Sequence, residues 1–417
     1  MISRQFAILA GIATGLSFAA PLIVIGASPV GGTTYNIATK IDLNGLTRDN
    51  FLAVVEPVAK TETGKDIVFY DFADTLCELM ASKTADFTKQ TGIPVKHVCV
   101  DGDAGTQQLI AAKQAGGASP ADLFFGPNDN MRALTQAGVI ANVPLVDVLP
   151  NAKNLEPAAA HYSRGFEHGG TVLPFHRNQT VLAYNSAIVP QPPETLQEVF
   201  QYAKDHSIKV AVTTPTEGGS GSGFLETAML ALAPDCKNDL YNFKLSEAEA
   251  GAVADRCMAP VVAYFKEQKP VIEYTNGNEA SLQALANNVA AIATVWEDDL
   301  YTLANKGLVP KTVRPFLLKT GEVGDGDGLF VVASTPAPEA SLLFANYLMS
   351  DDVQIAKMVL TGSRTARLDL VTKGKIPDNL AMFLVPDQQY QERTRPRING
   401  LISDAAANKF VKEVIAQ

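Results

Sequence analysis

Residues 67–103 read IVFYDFADTLCELMASKTADFTKQTGIPVKHVCVDGD. Ile67-Val68-Phe69-Tyr70 is a short run of β-branched and aromatic side chains, the pattern of a buried strand. Leu76, Leu79, Met80 and Phe87 then recur at helical spacing until Gly92, which can enter the left-handed backbone region that closes a helix. Residues 95–100 form the next predicted strand. Strand, helix and strand in so short a span predict a parallel βαβ unit with a right-handed crossover. The pattern continues with a helix over 106–116 (Leu109, Ile110 and Ala112 inward), a strand at Leu123-Phe124-Phe125 and a helix over 131–137 ended by Gly138.

A second α/β run starts at Thr180-Val181-Leu182-Ala183-Tyr184-Asn185. It continues through helices over 196–204, 224–232, 248–266 and 279–287 and strands over 209–212 and 289–295. An isolated strand over 329–333 precedes a helix over 338–349. The expected fold class is α/β. It has two lobes, each a mostly parallel sheet flanked by helices, with a ligand cleft between them. The expected division is 28–65 as a lead-in and 66–178 as the first part of lobe 1. Residues 179–329 form lobe 2, 330–375 return to lobe 1, and 376–417 are C-terminal helices packing on lobe 2.

The chain has 417 residues, 47% of them apolar, with a formal net charge of -10. An acidic surface repels polyanions, so no nucleic-acid partner is expected. Four cysteines without a CxxC and five histidines give no metal-ligand spacing, so neither metal nor cofactor is expected. Arg4 precedes an apolar run from Phe6 to Ala27, and Ile25-Gly26-Ala27 offers small residues for cleavage. Residues 1–27 therefore read as a signal peptide, which implies export to the periplasm; an uncleaved anchor is the alternative. An even cysteine count suits an exported chain. Of three possible pairings, the two local ones, Cys77 with Cys99 and Cys236 with Cys257, are expected.

Candidate ligand residues follow from the loops at strand ends. Gly218-Gly219-Ser220-Gly221-Ser222-Gly223 opens a helix, and Ser220, Gly221 and Ser222 would cradle an anion on backbone N–H groups; the other reading is a flexible turn with a serine cap. Trp296, the only tryptophan, stands beside Glu297, Asp298 and Asp299, a set suited to a cation, or else packs in the core. Tyr70, Asp71, Phe72 and Asp74 offer a similar set from the first lobe, one of the two aspartates being a helix cap. Asn128 follows the third strand. Arg177 and Asn178 lie at the first crossover, where Arg177 would clamp a carboxylate or phosphate or stand at the surface beside a hinge. Gly324-Asp325-Gly326-Asp327-Gly328 lacks the terminal Glu of a calcium loop and reads as a hairpin turn.

Several phrases resemble the bacterial extracellular solute-binding proteins of ABC importers. They are Phe69-Tyr70-Asp71-Phe72-Ala73-Asp74-Thr75, then Phe87-Thr88-Lys89-Gln90-Thr91-Gly92-Ile93-Pro94-Val95, Ala121-Asp122-Leu123-Phe124-Phe125, and Leu182-Ala183-Tyr184-Asn185 with Pro192-Pro193-Glu194-Thr195. The subgroup resembled is that of the polyamine, iron and thiamine importers, with the YnjB-like receptors. The resemblance implies a monomeric two-lobed receptor of the type II periplasmic-binding-protein fold that closes on a small solute and docks on an inner-membrane permease. The polyamine receptors carry aromatic and acidic side chains on the late crossover strand. The matching stretch here, Leu329-Phe330-Val331-Val332-Ala333, has neither tryptophan nor aspartate, which disfavours a polyamine. An anion nest and an acidic-aromatic wall together favour a zwitterion or a phosphate-bearing organic cation. The rivals are an exported α/β hydrolase, for which no catalytic spacing is visible, and a receptor feeding a membrane sensor.

Overall fold

The computed structural model describes residues 33–62, 66–370 and 374–416; the expected leader, 1–27, lies outside the described residues. The strands are β1 (Ile67–Asp71), β2 (Val95–Cys99), β3 (Leu123–Gly126), β4 (Tyr162–Ser163), β5 (Phe166–Glu167), β6 (Leu173–Asn185), β7 (Val210–Thr213), β8 (Ile272–Thr275), β9 (Ile292–Trp296), β10 (Val313–Phe316), β11 (Glu322–Val331) and β12 (Thr394–Arg395). Ten of them share one mixed sheet in the order β2-β1-β3-β11-β6-β9-β7-β8, with β10 on β6 and β12 on β11. β1, β2 and β3 are parallel to one another, as are β7, β8 and β9. β6 and β11 run antiparallel between these two parallel sets and join them.

Strand alternation makes each half two-faced. Phe69 and Leu329 pack on one face with Phe51, Phe87 and Phe344, while Tyr70, Phe124 and Phe330 pack on the other with Leu109 and Met131. In the second half Leu182, Val212 and Ile292 meet Phe224, Met258 and Phe265, and Val181, Ala183 and Val295 meet Leu282 and Tyr301 on the reverse. Each such phenylalanine contributes roughly 1.5–3 kcal/mol by leaving water. Residues 35–417 nevertheless cluster as one compact unit. No helix among the described residues is long and apolar enough to cross a membrane.

Local chemistry sets the helix ends. Ser246 and Glu249 form a capping box for Glu247–Gln268, and Thr195 with Glu198 does the same for Leu196–Asp205. Gly92 closes Cys77–Thr91 at φ 77°. Two helices start earlier than expected. Asp101 accepts the Ala104 N–H, so a helix runs over Gly102–Gln114. The Gly/Ser run is itself the first turn of Gly219–Leu232. Both expected bridges are present: Cys77–Cys99 with Cα atoms 6.1 Å apart, and Cys236–Cys257 at 6.0 Å.

The reading of residues 324–328 as a hairpin turn is corrected. They lie inside β11, a strand of ten residues that starts seven positions before the expected one. None of the three glycines has positive φ. Two of them are small because β6 is close: a Cβ on Gly326 would stand 2.0 Å from the His176 carbonyl oxygen, and one on Gly324 would stand 2.2 Å from Gln179 Oε1, while one on Gly328 would meet Val172 at 2.3 Å. Crowding by the neighbouring strand, and no turn, accounts for Gly324 and Gly326.

Candidate functional site

At the middle of the crossover strands Asp325 pairs with Asn178, Gly326 with Arg177 and Asp327 with His176. Alternation puts the two aspartates on one face of β11 and Gly324 and Gly326 on the other, before the register shifts between Asp327 and Gly328. Asn128, in the turn after β3, donates its backbone N–H to Asp327 Oδ1 (3.2 Å) and its amide to Asp325 Oδ1 (3.0 Å). Asn178 donates to Asp327 Oδ2 at 3.2 Å. Enclosure raises both carboxyl groups, Asp327 to about 8 even though the Asn128 N–H works against the shift. For Asp325, Arg397 and Arg177 oppose the rise. The late crossover strand therefore does carry aspartates, upstream of 329–333, and their absence from that stretch does not disfavour a polyamine.

Beside these carboxylates is a cavity of about 110 Å³. β6 and β11 supply Arg177 and Asp325; the segment around the β4–β5 hairpin supplies Tyr162 and Arg164; the second half supplies Phe243 and Arg397. Tyr162 and Phe243 meet with ring centroids 4.7 Å apart. Each guanidinium has a carboxylate partner: Arg177 with Glu156 (3.1 Å), Arg397 with Glu226 (2.9 Å), and Arg164 with Asp129 (2.9 Å) and Asp404 (3.0 Å). Yet the Nε atoms of Arg164, Arg177 and Arg397 are buried without a hydrogen-bond partner. So are Asn128 Oδ1, Asn178 Oδ1, Gln179 Oε1 and Thr180 Oγ1. Donors and acceptors left over in one neighbourhood are unusual, since buried polar groups are nearly always paired. The site can thus hydrogen-bond both an acid and a base.

The structure gathers some of the sequence candidates here and not others. Asn128, Arg177 and Asn178 belong to the crossover site. Ser222 is linked to it, since its Oγ accepts from Arg397 Nη2 (3.0 Å). Trp296 lies against the start of the helix Gly219–Leu232, where a Cβ on Gly219 would come 2.6 Å from its ring. Phe72 is half-buried against Phe125, centroids 5.0 Å apart. The glycine nest is occupied from within. Asn278 Oδ1 takes the Ser220 N–H (3.0 Å) and Ser220 Oγ (2.8 Å), and the Gly218 carbonyl takes the Gly221 and Ser222 N–H groups (3.1 and 3.2 Å). Tyr70 is a core residue whose hydroxyl bonds Gln108. Asp71 is fully buried, accepting the Ala73 N–H and facing His97. Asp74 is exposed and does not cap the helix, whose N-cap is Leu76.

Asp298 sits on the other side of β6. Its Oδ2 is 2.9 Å from His176 Nε2, and burial raises it to about 7. Lys357 lies nearby, lowered by burial to about 7 with Asp298 opposing, and bonds Ser363 Oγ at 3.1 Å. Ser363 in turn accepts the Arg177 backbone N–H and donates to its carbonyl. This cluster fastens the segment after Asp351–Thr361 to the crossover. Asp325, Asp327, Arg164, Arg397 and Thr180 were not singled out from sequence. Of these, only the alternation of Asp with Gly over 324–328 carried a visible signal, and it reads equally well as a turn.

Two parallel half-sheets joined by paired antiparallel crossovers, with a polar cavity on the crossovers, form the architecture of solute-binding proteins. The model of the family described as bacterial extracellular solute-binding protein matches residues 84–383, and the chain belongs to that family. Its members and the structural neighbours below are substrate-binding proteins, not enzymes. Protein YnjB of Escherichia coli (strain K12) is 25% identical over 260 residues; the match takes in 60% of this chain and 64% of YnjB. An extracellular solute-binding protein from Bordetella parapertussis superposes with TM-score 0.65 at 15% identity, covering 84% of this chain and 98% of that one. The spermidine/putrescine ABC transporter substrate-binding protein PotD from Streptococcus pneumoniae superposes with TM-score 0.60 at 14% identity, covering 84% and 99%. These likenesses concern the fold.

Proposed function

We propose that this chain is a periplasmic receptor of an ABC importer, acting as a monomer without chemistry of its own. The two halves of the sheet act as lobes, divided near 66–178 and 330–375 against 179–329 and 376–417. They close about β6 and β11 on a small solute, and the closed form is recognised by a membrane permease. A ligand favours the closed form only as far as it binds that form better, so it must touch both lobes. The cavity at the crossover supports this, because its walls come from both halves.

The ligand class follows from one observation: the three arginines whose Nε donors are unpartnered line one cavity with Asp325. We infer a small zwitterion, its acid group (carboxylate, phosphonate or phosphate) on the arginines and its cationic end toward Asp325. A thermal-shift and calorimetric screen of amino acids, aminophosphonates, phosphocholine, thiamine phosphates and polyamines tests the reading. A zwitterion should raise the midpoint, and Asp325→Asn or Arg397→Met should weaken its binding by about tenfold or more. Binding of neutral sugars alone, or of polyamines in preference, would reject the ligand class.

A further inference from the structure

The Cys77–Cys99 bridge has neighbours that Cys236–Cys257 lacks. Asp71 and Cys99 are register partners at the ends of β1 and β2. A period of two puts His97 on the same face as Cys99. His97 Nε2 is 3.1 Å from Asp71 Oδ2. Cys77 opens the helix Cys77–Thr91, which brings its sulfur to the same place. A carboxylate oxygen of Asp71 and the sulfurs of Cys77 and Cys99 all lie within 4.8 Å of one another, the one such group among the described residues. Asp71 is fully buried, and its Oδ1 accepts the Ala73 N–H at 3.0 Å, so the carboxylate is held in position.

We propose that opening this bridge creates a site for a thiophilic divalent metal ion, with zinc the best fit, held by Cys77, Cys99, Asp71 and His97. Reduction takes two electrons and two protons from a dithiol reductant, which leaves as its own disulfide. The S–S bond breaks and each sulfur gains a proton. The metal then displaces both protons as two metal–sulfur bonds form. Two thiolates, one imidazole and one carboxylate make a tetrahedral zinc set. Bonds of about 2.3 Å to sulfur and about 2.0 Å to nitrogen or oxygen place neighbouring donors roughly 3.3–3.8 Å apart. Three of the four donors already lie within 4.8 Å of one another, and His97 adjoins them through Asp71. The Ala73 N–H supports the carboxylate from behind, as outer partners of metal ligands do. Cys99 is exposed on the edge strand, so a reductant can reach it. While the bridge is closed its sulfurs are bonded to each other and the site is masked.

The test uses the full mature chain reduced with a phosphine and titrated with Co(II), then with Zn(II). The reduced protein should take up one equivalent of cobalt with thiolate charge-transfer and tetrahedral ligand-field bands, which zinc abolishes. The oxidised protein should show neither. Cys236→Ser/Cys257→Ser should keep the bands, and Cys77→Ser/Cys99→Ser should lose them. His97→Ala should weaken cobalt at least tenfold. Because Asp71→Asn also removes a structural acceptor and can fail to fold, X-ray absorption on the zinc-loaded wild type supplies the independent count: two sulfur and two nitrogen or oxygen donors per zinc. Four sulfurs per zinc, uptake by the oxidised chain, or unchanged affinity in His97→Ala would overturn the proposal.

Discussion

Gly324 and Gly326 occupy the same face of the same strand, yet an added methyl group meets different atoms at each. At Gly326 the obstacle is backbone: the His176 carbonyl oxygen at 2.0 Å, with its carbon at 3.1 Å and Arg177 Cα at 3.3 Å. Relief would require β6 and β11 to separate where they cross between the halves. At Gly324 the nearest atoms are Gln179 Oε1 at 2.2 Å and Cδ at 3.0 Å, the far end of a flexible side chain. Gln179 loses something by moving, since its amide donates to the carbonyls of Thr180 (2.8 Å) and Glu322 (3.1 Å). Forcing a methyl against packed backbone costs about 3 kcal/mol, at the upper end for overpacking. Displacing Gln179 costs about 1 kcal/mol, the net worth of a typical hydrogen bond. Gly326→Ala should therefore lower stability by roughly 2 kcal/mol more than Gly324→Ala, measured by urea unfolding of the two variants side by side. For a chain of this size the thermal midpoint of Gly326→Ala should fall by a few degrees, at about 2.1 cal/mol/K of unfolding entropy per residue. Equal costs, or a larger cost at Gly324, would refute the view that the glycines are there for close approach of β6.

Three further outcomes follow. Arg364 reaches Glu297 with two bonds (2.9 and 3.2 Å) in a buried pair, so Arg364→Met should cost about 3–5 kcal/mol in urea unfolding. The exposed Arg256–Asp239 pair is the control, and Arg256→Met should cost less than about 1 kcal/mol. Glu322 is fully buried and raised to about 8 by burial, against the Leu318 N–H that favours its ionised form. The native state therefore holds a proton that the unfolded state has released once the pH exceeds about 4.5, and stability falls as pH rises from there through about 8. Glu322→Gln should be more stable than wild type at pH 9 and indistinguishable at pH 4; an unchanged pH slope of the urea midpoint would show that Glu322 is not the source. Removing the second bridge with Cys236→Ala/Cys257→Ala should cost about 3 kcal/mol, read against reduced wild type to separate chain entropy from lost packing.

The parallel units were legible because their signals are local. Ile67 to Tyr70, the helical spacing of Leu76, Leu79, Met80 and Phe87, and Gly92 lie within one stretch and need no knowledge of distant contacts. The two disulfides were legible for the same reason, each spanning about twenty residues. The crossover site was legible only in part. Asn128 follows a strand end, where loops carry ligands, whereas Arg177 and Asn178, expected at a crossover, lie inside β6. Asp325 and Asp327 were hidden because Gly-Asp alternation has two physical causes, a turn that needs left-handed backbone and a strand pressed against a neighbour. Only the neighbour decides between them. The Ser220 region misled for the opposite reason. A glycine-rich helix start exposes N–H donors in sequence, but Asn278, 58 positions away, already bonds one of them.

The electrical balance of the crossover cavity bears directly on what it can hold. Glu156, Glu226, and Asp129 with Asp404 each sit on one of the three guanidiniums, so those arginines carry no net excess of positive charge. Asp327 is raised to about 8 and is therefore largely protonated at neutral pH, while Arg397 and Arg177 favour the ionised form of Asp325 against its burial. A bare anion would have to compete with the resident carboxylates for guanidinium groups already paired. A bare polycation would find Asp325 shadowed by two arginines. Either would be left with uncompensated charge in an enclosed space, where such charge is costly. A molecule bearing both signs brings its own compensation and can use the free Nε donors together with the amide oxygens of Asn128 and Asn178. The residual hydrogen-bonding capacity of the cavity therefore selects against net charge in its occupant more strongly than it selects for either sign.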